Sequence, residues 1–167
     1  MSLRSLFEWV DALPSSIALR ESLYGYPALL TTHVVSMCLF AGLVAMMDLR
    51  LLGVGNPQVP FTQVQKRFFP WQMFGFAVNL VTGLVLLYSQ PMRYYGKVLF
   101  WTKFALMALA GVNAVYFHLS TYPSVTAWDT DVVLPSRARM AGFLSLALWA
   151  GVVVFGRLTA YNWLTYE

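Results

Sequence analysis

Four stretches of this chain carry no charge, and each is long enough to cross a membrane. Residues 22–47, 68–92, 104–128 and 140–156 contain no Asp, Glu, Lys or Arg. A spanning helix needs about 20 mainly apolar residues, within a range of about 17–25. None of the four windows is long enough to cross twice. In hydrocarbon the backbone must satisfy its own hydrogen bonds, so each window predicts a helix. Strands are excluded because the apolar runs are continuous rather than alternating. The expected spans are 25–49, 68–90, 97–119 and 138–161, forming one all-α transmembrane domain over residues 1–167. Short connections predict an up-down bundle of antiparallel neighbours.

The remaining sequence cannot build a soluble alternative. Charged residues make up 11% of the chain, against roughly 25% in soluble globular proteins. That is too little polar surface for a soluble enzyme and too much apolar content for a disordered chain. A single cysteine, Cys38, excludes a disulfide-stapled module. There is no G-x-S-x-G, Walker A, C-x-x-C or H-E-x-x-H motif. An enzymatic activity is therefore left open, with no catalytic residue to assign.

The N-terminal segment, about residues 2–13, reads as a short interfacial helix. Leu3, Leu6, Phe7 and Val10 recur at helical spacing, with Arg4, Glu8 and Asp11 elsewhere. Packing on the bundle without a lipid role is the alternative. Glu8 and Asp11 interrupt the segment too early for a signal peptide. Pro14 and the serines after it are expected to break the helix. Aromatic residues near the predicted ends, Trp71, Tyr94, Tyr95, Trp128, Tyr161 and Trp163 among them, read as interfacial belts. The segment 120–136 reads as a solvated loop, or as a docking site for a partner domain. Lys and Arg divide five against five between the two sides, and Lys103 tips the count toward termini in the cytoplasm.

Ionisable residues inside spans are costly and therefore informative. His33 and His118 both fall within predicted helices. They raise axial ligation of haem b, with Met37 and Met140 as further candidate ligands and a metal unassigned. Hydrogen bonding of each histidine to a neighbouring helix is the competing reading. One shared iron is excluded by depth. His33 lies near the start of the first span and His118 near the end of the parallel third, a difference of roughly 20 Å at about 1.5 Å per residue. Asp48 and Arg139 share the depth of His118, while Glu21, Lys103 and Arg157 gather on the opposite side. Two ion-paired clusters are the expected outcome.

The ordered set of motifs carries a resemblance. Arg20-Glu21-Ser22 with Pro27 and His33, Asp48-Leu49-Arg50-Leu51-Leu52-Gly53, and Pro70-Trp71 with Gly75-Phe76 come first. Thr82-Gly83, Ala110-Gly111-Val112-Asn113 with Phe117-His118, Trp128-Asp129, and Ala138-Arg139 through Arg157 follow. From about residue 15 to 163 the chain resembles an uncharacterised family of small bacterial four-helix membrane proteins, a domain of unknown function. The resemblance implies the bacterial inner membrane and no particular activity. Size and missing motifs point to an accessory or anchoring subunit of a membrane complex. The other readings are a haem b electron-transfer subunit and, third, a proton or small-solute transporter. Expected partners are the lipid bilayer and a membrane or periplasmic redox protein, with no nucleic acid; homo-oligomerisation is left open.

Overall fold

A computed structural model describes residues 2–54, 59–131 and 134–161. Among these residues there is no strand. The helices are α1 (Leu3–Asp11), α2 (Pro14–Glu21), α3 (Gly25–Leu51), α4 (Phe61–Ser89), α5 (Pro91–Tyr95), α6 (Val98–Tyr116) and α7 (Ser136–Leu158). A π-helical turn, Phe117–Thr121, and a 3-10 turn, Tyr122–Ala127, continue from α6. Four helical segments are long and apolar enough to cross a membrane: Gly25–Leu51, Phe61–Ser89, Val98–Ala127 and Ser136–Leu158.

These segments pack in the spatial order α4, α3, α7, α6. Residue partners run in opposing directions across each contact. His33 meets Thr82 while Met47 meets Gln72 across α3 and α4. Phe40 stacks edge-on against Trp149, and Leu51 faces Gly142, across α3 and α7. Asn113 meets Ala141, and Lys97 meets Thr159, across α6 and α7. Close approach is set by two glycines. A Cβ on Gly75 would lie 3.3 Å from the Phe40 nitrogen and Cβ. One on Gly142 would lie 2.8 Å from Leu51 Cβ and 3.1 Å from the Asp48 carbonyl oxygen. Membrane helices gain by such close approach because lipid tails supply no hydrophobic drive between them. Val35, Val81, Val112, Val115 and Phe143 remain well exposed on the outer faces.

We name the end bearing the α3 N-terminus side A and the opposite end side B. Side B is built on an apolar cluster of Leu51, Phe61, Phe117, Val125, Trp128, Leu134, Ala138 and Ala141. Segment 120–136 is thus more than a solvated loop. Trp128 is 3% exposed and stacks near Phe61, so it is core rather than interfacial belt. Its neighbour Asp129 caps α4: Oδ1 accepts the Thr62 N–H at 2.8 Å and Oδ2 the Thr62 hydroxyl at 2.6 Å. A carboxylate at a helix N-terminus satisfies orphan donors and opposes the positive end of the dipole. This cap explains why α4 begins at Phe61, seven positions before the expected start at 68. Gly53, at φ 80°, ends α3 in a left-handed turn, with Val54 N–H bonded back to the Leu49 carbonyl.

Side A is closed by the N-terminal segment. The expected break is present, with α1 ending at Asp11, and Pro14 then opens α2 at a position where a missing N–H costs nothing. Ser16 is fully buried and donates to the Tyr88 and Ser89 carbonyls at the end of α4, at 2.9 and 3.2 Å. Ser15 hydrogen-bonds the Tyr88 hydroxyl. In α1, Phe7 packs on Tyr95 at 5.4 Å while Leu3, Leu6 and Trp9 stay exposed. The Lys97 ammonium is buried and donates to the Thr159 carbonyl at 2.7 Å, capping α7. Burial first, and the Arg93 charge second, push the Lys97 pKa down from 10.5. Trp163 falls outside the described residues.

Candidate functional site

The two histidines occupy separate sites. His33 Nδ1 lies 2.9 Å from Thr82 Oγ1. That hydroxyl already donates to the Val78 carbonyl at 2.7 Å, so the imidazole N–H is the donor to it. Gly83 leaves room for the ring: a Cβ there would lie 3.1 Å from His33 Cε1. One turn on, Asn79 Nδ2 donates to the His33 carbonyl at 2.9 Å and to Ser36 Oγ at 3.3 Å. Gln72 donates to Met47 Sδ at 3.0 Å. Together these groups form a polar seam between α3 and α4. Such interhelical hydrogen bonds average about 0.6 kcal/mol each in measured cases.

His118 stands on the π-helical turn at side B. Its Nδ1 donates to the Ala114 carbonyl at 2.9 Å, and its Nε2 lies 3.3 Å from Gln65 Nε2, whose N–H it accepts. Both ring nitrogens are therefore engaged. Phe69 and Tyr122 flank the ring. The histidine partners Gln65 and Thr82 are 17 positions apart on α4, which is roughly 25 Å along a helix. One iron cannot be shared across that distance. Among the described residues no three His, Cys, Asp or Glu side chains converge as a metal site. Met37 is half-buried and Met140 exposed, and no hydrogen bond or ring contact joins either to a histidine.

The charged residues do not form the two expected ion-paired clusters. Among the described residues the ion pairs are Arg4–Glu8, at 2.9 Å, and Arg20–Asp11, at 3.2 Å. Glu21 and Arg139 are exposed. Arg157 sits 5.9 Å over the Tyr161 ring. Lys103 lies along Gly156, within charge-interaction range of His33. The partners available were neutral backbone and aromatic groups, and these took the places assigned to opposite charges.

Asp48 stands apart. It is 5% exposed, and its Oδ2 has no hydrogen-bond partner. It lines a cavity of about 90 Å³ with Met47, Asn113, His118 and Ser145 among apolar neighbours. Asp48 and His118 thus come together, while Arg139 stays on the exposed face of α7. Arg50, two positions from Asp48, is itself buried and directed elsewhere: its Nε and Nη2 donate to the Val59 carbonyl at 3.2 and 3.1 Å. Sequence reasoning missed Gln65, Thr82 and Ser145. Thr82 and Ser145 are single polar residues in apolar stretches, Gln65 sits among Gln63, Lys66 and Arg67, and no periodic signal singles any of them out.

Four membrane-compatible helices joined by polar seams and close-packed glycines define a small helical integral membrane protein. The chain belongs to a family of unknown function, DUF6644, whose model matches residues 7–162. No curated protein matches it, and no solved structure does.

Proposed function

We propose that the protein is an accessory or anchoring subunit of a larger complex in the bacterial inner membrane. In this reading the four spans form an up-down bundle and α1 lies in the membrane interface. One observation carries it. The polar side chains inside the spans are mostly spent on ties between the helices, as with His33–Thr82, Asn79–His33 and Asn113–Ala141. The outer faces, with Val35, Val81, Val112 and Phe143, are left apolar. Only lipid or another membrane protein can cover such surface.

Photo-crosslinking in the native membrane tests the reading. A photoreactive residue at Val81, Val112 or Phe143, one position at a time, should give a discrete protein adduct from at least one face. Purification under mild detergent should then retain a species heavier than the 18.8 kDa chain. Lipid adducts alone from every face, together with a monomeric mass, would contradict it.

A further inference from the structure

The side-B cavity holds an unbalanced charge. Asp48 is 95% buried by its 5% exposure, and it sits inside a membrane-compatible helix. No Lys, Arg or His ion pair to it exists among the described residues. A carboxylate in low dielectric is untenable without compensation. The charged and titratable groups around it are otherwise committed. Arg50 is directed to Val59, Asp129 caps α4 through Thr62, and the two ring nitrogens of His118 are taken up by the Ala114 carbonyl and the Gln65 amide. Arg139 is exposed on α7.

What the cavity offers instead is oxygen. Asp48, which lines it, has an Oδ2 without a partner. Asn113 spends its amide N–H on the Ala141 carbonyl, which leaves its oxygen available. Ser145 lines the same cavity and presents a hydroxyl oxygen to it. A volume of about 90 Å³ holds a small ion with one or two waters, at about 30 Å³ per water. Hard oxygen donors with a single negative charge suit a small monovalent cation rather than a soft or divalent metal.

We propose that Asp48, with Ser145 and Asn113, forms an intramembrane site for a small monovalent cation, a proton or a sodium ion. The proposal does not depend on the subunit reading. Its test is thermal unfolding of the purified full-length protein in detergent. The wild type, Asp48→Asn and Ser145→Ala are compared in NaCl and in N-methylglucamine chloride of equal ionic strength, each at several pH values. A ligand bound only by the folded state raises Tm with the logarithm of its concentration. If sodium is the occupant, NaCl raises the wild-type Tm above that in N-methylglucamine, and Asp48→Asn abolishes the difference. If a proton is the occupant, the wild type ignores sodium but carries a pH dependence that Asp48→Asn removes. In either case Ser145→Ala, which leaves the charge in place, changes the response: it weakens the sodium effect through loss of an oxygen ligand, and it enlarges the pH dependence because a neighbouring hydroxyl favours the carboxylate. The proposal is overturned if wild type and Asp48→Asn respond alike to sodium and to pH. Should Asp48→Asn fail to fold, an unchanged response in Ser145→Ala overturns it.

Discussion

Replacing Gly142 by alanine tests how α3 and α7 are held together. The added Cβ would stand 2.8 Å from Leu51 Cβ and 3.1 Å from the Asp48 carbonyl oxygen, where ordinary contact begins at 3.4 Å. Neither neighbour is the end of a flexible side chain, so the helices must part by roughly 0.6 Å or bend. Overpacking of this kind costs about 1–3 kcal/mol. Alanine also gains up to about 1 kcal/mol over glycine in a helix interior, which would blur a comparison with wild type alone. Gly111→Ala supplies the control. A Cβ there meets nothing within 4 Å, and it carries the same propensity gain. Gly142→Ala should therefore lie below Gly111→Ala by the full packing term, about 1–3 kcal/mol. Unfolding by SDS in mixed micelles, followed by tryptophan fluorescence, measures the difference. Trp149, 4.7 Å from Phe40 across the same contact, is a local reporter. Equal stability of the two variants would refute close packing of α7 on α3.

Asp129→Ala should lower stability by about 0.5–2 kcal/mol through loss of the α4 cap, and Asp129→Asn by less; equal losses in an SDS titration would show that capping is not its role. His33→Ala and Thr82→Val should be coupled, with the double variant losing less than the sum, whereas His33→Ala and His118→Ala should add within about 0.5 kcal/mol. Their partners lie too far apart on α4 for anything else, and a common low-spin haem signal abolished by either change would overturn this. Lys97 binds its proton less readily folded than unfolded, so the unfolded chain holds more protons as pH approaches 10.5. Its contribution therefore makes stability rise with pH through the lowered folded value, and Lys97→Met should flatten that part of a Tm–pH profile.

The spans were legible because a charge in hydrocarbon is costly, so the uncharged windows trace the helices. The same criterion cut α4 short. Its first turns carry Gln65, Lys66 and Arg67, and a helix of 29 residues, about 43 Å at 1.5 Å per residue, outruns the hydrocarbon core. Its true start depends on Asp129, 67 positions away, a contact no local pattern announces. Trp128 misled for a related reason: aromatic residues of a lipid interface and of a core look alike in sequence. Separation of the two histidines followed from helix direction alone. Their partners did not, because Thr82 and Gln65 mark no period. Asp48 was recognisable by depth, but its expected ion-pair partners were assigned by depth as well. Depth fixes only one of three coordinates, and Arg50 and Arg139 turn elsewhere.

Cysteine accessibility in sealed membranes of known orientation tests the central claim, four crossings with side A and side B on opposite faces. Cys38 is first replaced by alanine, and single cysteines are placed at Ser2 on side A, Asp131 on side B and Tyr161 beyond α7. A membrane-impermeant maleimide should label positions 2 and 161 from one face and position 131 from the other. Labelling of positions 2 and 161 from opposite faces, or of positions 2 and 131 from the same face, would contradict the four-span fold.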